Sequence, residues 1–381
     1  MRLFFTVFLT LYAGAHWYAF IKAGSALAFG TGAGAALALF MLMMIFMPFV
    51  VHYLEKYGLA AVARPAAFTG YIWMGVLFLF CSVAVPLDCY RTAVHAAGFL
   101  FGKDLSQISL SDYHLFTAAL IISLTAALYG YFEAKNIRTG RIIFKTPKIS
   151  RETGRIRIVQ ISDVHLGLIV REKRLKLILA AVKKADPDIL VSTGDLVDSQ
   201  IARQNGLSEM IREIAPRHGK FAVTGNHEYY AGIEQSLNFT REAGFTILSG
   251  NASSGAIAVA GIDDPAAWAF GRHSSVSEKT LLQSLPEDKF ILLLKHRPLV
   301  DKAAVGLFDL QLSGHVHKGQ IWPFTLLTKI YYPVYSGYRK LQGDACLYVS
   351  RGSGTWGPPI RFLAPPEVTI IDLVHGSTSS P

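Results

Sequence analysis

The hydrophobic positions divide the chain in two. Before residue 134 they fall in long runs with few charges, near residues 3–21, 31–53, 68–87 and 114–132. Each run can cross a hydrocarbon core, which takes roughly 20 helical residues at about 1.5 Å each. From Arg155 onward the apolar runs shorten and alternate with amphipathic stretches. That pattern predicts strands over 156–161, 188–192, 220–223, 256–262, 290–294, 309–312 and 346–350, and helices over 172–185 and 232–243. The small polar stretch 250–255 reads as a turn. The expected architecture is a four-helix transmembrane region over 1–134, a basic juxtamembrane linker over 135–154, an α/β sandwich over 155–375 and a short tail over 376–381.

Composition agrees with this division. Apolar residues make up 51% of the 381 positions and charged residues 17%, against about 25% charged in a typical soluble domain, which excludes disorder and a purely water-soluble fold. Three cysteines exclude a disulfide scaffold.

Charge adds an orientation. Residues 1–134 hold six Lys/Arg and five Asp/Glu, whereas the remainder holds 31 against 22. Much of the surplus is local: Lys135, Arg138, Arg141, Lys145, Lys148, Arg151, Arg155 and Arg157 stand against Glu152 alone. A nucleic-acid binder spreads its charge over a folded face, so the cluster reads as a basic flank beside a span, and no nucleic-acid partner is expected. With four spans both termini share a side, which then carries Arg2, Lys56, Arg64 and this cluster, against Lys22, Arg91 and Lys103 opposite. The positive-inside rule makes that side the cytoplasm of a bacterial inner-membrane, multi-pass protein whose partner is the lipid bilayer. The first run imitates a secretory signal, but three further runs make it an anchor. The histidines His16, His52, His95 and His114 lack a paired carboxylate within a span, so transport chemistry has no support.

In the second half, polar residues cluster where predicted strands stop. Asp163 and His165 follow the first as DVH, Asp195 and Asp198 the second within GDLVD, and Asn226 and His227 the third within GNHE. His296 closes another in KHRP, and His315 and His317 a further one in GHVH. A strand ending in Asp-x-His can send both side chains forward, because alternate residues share a face. Glycine before Asp195, Asn226 and His315 lets the backbone turn sharply into each. Mixed carboxylate, imidazole and amide groups suit a pair of divalent cations such as Mn²⁺, Fe or Zn²⁺, with one carboxylate between them. Cations about 3.5 to 4 Å apart can hold a phosphate and lower a bound water's pKa toward about 7. Each block alone also fits a capped turn or a loop histidine. Their joint occurrence at successive strand ends is what points to a metal centre.

These blocks resemble the calcineurin-like metallophosphoesterases, whose pattern is D-x-H, G-D-x-x-D, G-N-H-D/E, a single His and G-H-x-H. GHVHKGQ, YVSRGSGTWGPPIRF and PPEVTIIDL further resemble the membrane-associated YkuE/YaeI-like branch. The resemblance covers roughly residues 154–373 and implies a two-sheet β-sandwich flanked by helices. It implies that Asp163, His165 and His317 hold one metal, that Asn226, His296 and His315 hold the other, and that Asp195 bridges them. His227 is then non-ligating, near the leaving-group oxygen, and Asp198 orients it. Where the family often has Arg after the second Asp of GDxxD, this chain has Ser199, so a phosphate-binding cation must come from elsewhere: Lys295, Arg297 and Arg351 are the candidates. Relatives of the YkuE type can carry a twin-arginine export signal, which this N-terminus lacks, in keeping with an inward catalytic domain.

Such a centre attacks monoesters, diesters or pyrophosphates, and location narrows the choice. A domain tied to spans meets anionic lipids without diffusing through water. Trp268 and Phe270, and the stretch 321–338 with Trp322, Phe324, Leu326, Leu327, Tyr331, Tyr332, Tyr335 and Lys329, could form an entrance, or else cover a core edge or pack on the spans. The expected activity is hydrolysis of a phosphodiester or pyrophosphate in a phosphorylated lipid, with UDP-diacylglucosamine one example by analogy within the superfamily. The alternatives are an anchored enzyme for soluble phosphodiesters such as cyclic nucleotides, and a non-catalytic scaffold.

Overall fold

The computed structural model describes residues 2–198, 206–272 and 276–377. Two compact units emerge, one of residues 1–132 with 357–360 and one of residues 133–356 with 361–381.

The first unit consists of helices α1 (Arg2–Leu27), α2 (Thr31–Lys56), α3 (Ala60–Phe101) and α4 (Asp112–Glu133). All four expected runs are helical, but among the described residues only three helices are long and apolar enough to cross a membrane: α2, α3 and the stretch ending with α4. The expected fourth span is therefore corrected. Several polar side chains of α1 bond to α3. Trp73 donates its indole N–H to Nε2 of buried His16 at 2.8 Å, Tyr18 donates to Asp88 at 2.7 Å, and Lys22 Nζ lies 2.5 Å from the same carboxylate. Helix α3 also runs far beyond the expected 68–87. Its 42 residues span about 63 Å, roughly twice a hydrocarbon core.

The second unit is a two-sheet sandwich. In chain order it contains β1 (Arg138–Thr146), β2 (Arg155–Ile161), α5 (Glu172–Ala185), β3 (Ile189–Ser192), α6 (Leu207–Arg212), β4 (Lys220–Ala222), α7 (Asn226–Ala231), α8 (Ile233–Glu242) and β5 (Thr246–Ile247). There follow β6 (Asn251–Ser254), β7 (Ala258–Ile262), α9 (Glu278–Gln283), β8 (Ile291–Lys295), β9 (Leu310–Ser313), α10 (Phe324–Tyr331), β10 (Gly337–Lys340), β11 (Cys346–Val349) and β12 (Glu367–His375). One sheet has the order β1-β12-β2-β3-β4-β5 and the other β10-β11-β9-β8-β7-β6. Strands β2, β3 and β4 run parallel in the first, as do β7, β8, β9 and β11 in the second.

Side-chain alternation builds the layers. From β2, Ile156 and Ile158 point into the core between the sheets, where they meet Leu292, Leu294, Leu310 and Leu312. Val159 and Ile161 point the other way, onto Leu175, Ile178, Leu179 and Val182 of α5. Those helix positions recur at three- and four-residue steps, the spacing of one helical face.

Two expectations fail here. The segment read as a basic linker contains the edge strand β1, in parallel register with β12 from Arg138↔Glu367 to Thr146↔His375. Ile142 and Phe144 point inward between outward Arg141 and Lys145, an alternation that the charges conceal. Edge strands commonly carry such charges, which discourage pairing with another chain. Much of the basic cluster meets carboxylates of its own fold: Arg141 and Arg157 on buried Asp372, Lys148 on Asp309, and Arg138 on Glu133. The presumed turn at 250–255 is β6, a small polar edge strand antiparallel to β7.

Phe144 is 6% exposed, so Phe144→Ala should lower the unfolding free energy of the second unit by about 3–5 kcal/mol. A denaturant titration that finds no loss would restore the linker.

Candidate metal centre

Both sheets aim the C-terminal ends of parallel strands at one place, where α/β folds generally bind ligands. Asp163 and His165 follow β2, Asp195 and Asp198 follow β3, and Asn226 and His227 open α7 after β4. From the second sheet, His296 follows β8, and His315 and His317 follow β9.

The local conformation differs from simple strand alternation. Asp163, His165, Asp195, His315 and His317 all have positive φ, between 47° and 72°, which costs about 1–3 kcal/mol for a residue bearing a side chain. The neighbouring glycines serve mainly close approach. A Cβ on Gly225, whose φ is −103°, would lie 2.1 Å from Asp195 Oδ1, and one on Gly314 would lie 1.9 Å from Ser162 Oγ.

A buried hydrogen-bond network holds the loops in this shape. Glu228, three residues after Gly225, accepts the backbone N–H groups of Asp195, Leu196, Val197 and Gly225 at 2.7–3.3 Å. Asp163 Oδ1 accepts the N–H of His315 at 2.8 Å, and Asp195 Oδ1 that of His227 at 2.9 Å. His296 Nδ1 lies 2.8 Å from the carbonyl of Thr193 and donates to it, which leaves Nε2 facing the centre. Arg361, fully buried, donates to the carbonyls of Arg351, His317 and Gly354, and its Nη2 lies 2.9 Å from His317 Nδ1. These bonds fasten the loop after β11 to the GHVH loop. Glu228 belongs to the polar cluster of GNHE but has no role assigned from the sequence, and Arg361 does not stand out there as a site residue. The capping-box spacing at 225–228 marks the first, and nothing local marks the second.

Two groups of ligand atoms result. Asp163, His165 and His317 form one, and Asp195, His296 and His315 another; within each, the candidate atoms lie within 4.8 Å of one another. His165 Nε2 stands 3.0 Å from His317 Nε2, and His296 Nε2 stands 3.1 Å from His315 Nδ1 and 3.2 Å from Asn226 Oδ1. Asp195 Oδ2 lies between the groups, 3.2 Å from His296 Nε2 and 3.8 Å from His165 Nε2. Ligands at about 2.1 Å from a common cation are themselves about 3 Å apart, so the spacing and the nitrogen–oxygen chemistry fit divalent metals. His165, Asp195 and His227 also form a third such group.

Beside the ligand atoms, His227 Nδ1 donates to Asp198 Oδ1 at 2.6 Å. Burial alone would depress the His227 pKa, but Asp195 and Asp198 lift it to about 9. Burial also opposes charge on His296, yet Asp195 raises it to about 10. Burial, followed by the His296 charge, holds His315 well below the usual imidazole range, and burial with Arg361 does the same for His317. Rings of Tyr230 and Trp356 flank His227 at 5.5 and 5.8 Å, and Tyr332 flanks His315 at 5.6 Å.

The expected phosphate contacts are engaged with acids. Arg297 is held by Asp264 at 2.7 and 3.0 Å, Lys295 by Glu278 at 2.7 Å, and Arg351 by Glu367 at 2.5 Å. Of these, Arg297 has its charge near Tyr332 and Tyr230 at the site's rim. Ser199 lies outside the described residues.

The calcineurin-like phosphoesterase family model matches residues 156–319, which include every ligand group above. A metallophosphoesterase of Aquifex aeolicus is 36% identical over 258 residues, 67% of this chain and 98% of that protein. The chain belongs to the calcineurin-like phosphoesterases. This phosphoesterase is also 31% identical to the metallophosphoesterase YkuE of Bacillus subtilis, over 64% of this chain and 87% of the relative. It is 29% identical to a transmembrane protein with metallophosphoesterase domain from Danio rerio, over 79% of this chain and 74% of the relative.

Binding a cation must displace the proton held at His296. The affinity of the phosphoesterase for Mn²⁺ should therefore rise with pH, by about tenfold per unit for one proton released, until pH approaches the His296 value of about 10. Calorimetry in buffers of unequal ionisation enthalpy measures that proton, and an affinity flat with pH would refute its release.

Proposed function

We propose that the protein is a membrane-anchored hydrolase that uses two divalent cations to cleave a phosphodiester or pyrophosphate bond in a phosphorylated lipid or lipid-linked nucleotide. The observation that carries this reading is the pair of ligand groups meeting at Asp195, with the His227–Asp198 pair beside them. Asp163, His165 and His317 would hold one cation and Asn226, His296 and His315 the other, with Asp195 placed between the two groups. When bound, such a pair supplies Lewis acidity toward a phosphoryl group and an activated water.

The chain's own residues do the rest. Asp198 holds Nδ1–H of His227, which directs Nε2 toward the leaving-group oxygen, and an imidazolium with a raised pKa delivers its proton there at neutral pH. Arg297, fixed in place by Asp264, offers a guanidinium to the phosphate's free oxygens. Lys295 and Arg351 keep Glu278 and Glu367 in place.

The substrate reading rests on the rim. Tyr230, Phe270 and Trp356 are 42–56% exposed, and through Tyr230 and Trp356 this surface reaches the ring of His227. An apolar approach to a phosphate-cleaving centre suits a substrate with a lipid tail, and the helices of the first unit keep a bilayer at hand. The domain is assigned to the cytoplasmic side, which with three spans carries Lys56 and Arg64 but not Arg2; pairing within the fold weakens the contribution of the 135–157 cluster to that assignment.

His227→Ala should lower kcat about 10²–10⁴-fold on an alkyl phosphodiester and far less on a nitrophenyl ester, whose leaving group needs no proton. Equal losses on both would remove His227 from the acid role. Mass spectrometry of a total lipid extract, before and after incubation with the purified protein and Mn²⁺, should show loss of one phosphorylated lipid, with UDP-diacylglucosamine a candidate. Cleavage of soluble diesters with every lipid phosphate intact would reject the lipid reading.

A further inference from the structure

Helix α10, FTLLTKIY, buries only Thr328 and turns its remaining apolar side chains to solvent. Leu326 and Leu327 are 54% and 59% exposed, and Ile330 and Tyr331 are both 80% exposed. At about 100° per residue, Leu327, Ile330 and Tyr331 share one face, with Leu326 one turn from Ile330, and Trp322, 45% exposed, precedes the helix. Such exposure shows that these side chains are not buried in the core of the second unit.

The surrounding charge selects a partner. Residues 310–343 contain Lys318, Lys329, Arg339 and Lys340 and no Asp or Glu, and of these Lys340 lies 3.9 Å from Asp344. Lys329 Nζ lies 4.9 Å from the centre of the Tyr335 ring, a cation over an aromatic face, as interfacial side chains place themselves. A second copy docking through the same patch would oppose basic side chains to basic side chains, because a two-fold contact pairs identical surfaces. An anionic leaflet instead complements both the apolar face and its charged border. The same chain carries three helices able to cross a membrane, so a bilayer is always near.

We infer that α10 is an interfacial helix that inserts its Leu327–Ile330–Tyr331 face among the headgroups of an anionic leaflet. The inference rests on the reading of a bilayer-borne substrate and gives it a geometry. Tyr332, next after α10, stacks edgewise on His315, so the inserted helix brings headgroup phosphates beside the ligand atoms.

The test uses the full chain with Cys81→Ser and Cys89→Ser, reconstituted in phosphatidylcholine vesicles containing phosphatidylglycerol. A nitroxide is attached at L327C or I330C, or at L177C on α5 as a water-exposed reference. Power saturation should give an oxygen-to-nickel-chelate accessibility ratio about tenfold higher at the two α10 sites than at residue 177, as expected for side chains below the headgroups. Omitting phosphatidylglycerol should reduce the difference. A ratio equal to that at residue 177 overturns the inference, as does protection from both reagents, which marks a protein partner on the face. Unchanged hydrolysis of bis(para-nitrophenyl) phosphate by each labelled protein shows that the fold is intact. The lipid-extract experiment can fail while the labels still report immersion, which would reject the substrate and keep the docking helix.

Discussion

Ligand atoms that share a cation must first be crowded together without it. In this protein, imidazole nitrogens and carboxylate oxygens from five loops stand about 3 Å from one another, and beyond the proton that His296 shares with Asp195 little in their mutual contacts favours that arrangement. The surrounding structure opposes the repulsion from three directions. Glu228 gathers the backbone of two loops from beneath, Asp163 and Asp195 each spend one oxygen on a neighbouring N–H, and Arg361 fastens the GHVH loop to the loop after β11. Because every one of these groups is buried, water does not compete for their bonds, and each unmade bond would leave an unsatisfied polar atom.

The sandwich makes that crowding possible. Each sheet contributes parallel strands, so each has a carboxyl edge from which several loops leave in one direction. The inter-sheet core, packed from Ile156 and Ile158 on one side to Leu292 and Leu310 on the other, holds the two edges level. Without the second sheet the centre would lack His296, His315 and His317. The division also separates roles: carboxylates come from the first sheet's loops and most imidazoles from the second's.

What was legible in the sequence, and what was not, follows from how each feature is encoded. Buried strands such as β3 and β8 are continuous apolar runs, and their polar ends stand out by contrast, so Asp195 and His296 could be located. Strand β1 was hidden because its outward positions carry Arg and Lys, which read as a linker; only its pairing with β12, more than 200 residues away, makes it a strand. Arg361 was invisible for a similar reason, since its importance lies in carbonyls brought to it by tertiary structure. The left-handed backbone of the ligand residues is also set non-locally: Asp and His enter it more readily than most residues but seldom adopt it, and the neighbouring loops impose it here. In the apolar half, α1 resembles a span by hydropathy alone, until its His16 and Lys22 are seen to bond with α3.

The positive φ of Asp163, His165, Asp195, His315 and His317 has a consequence for the life of the metal-free protein. Backbone held against its preference is a loaded spring, and the bonds made by Glu228, Asp163, Asp195 and Arg361 are its catch. Because that catch is built from the chain itself, the strain is stored as the loops fold, and a cation arriving later meets groups already set to receive it.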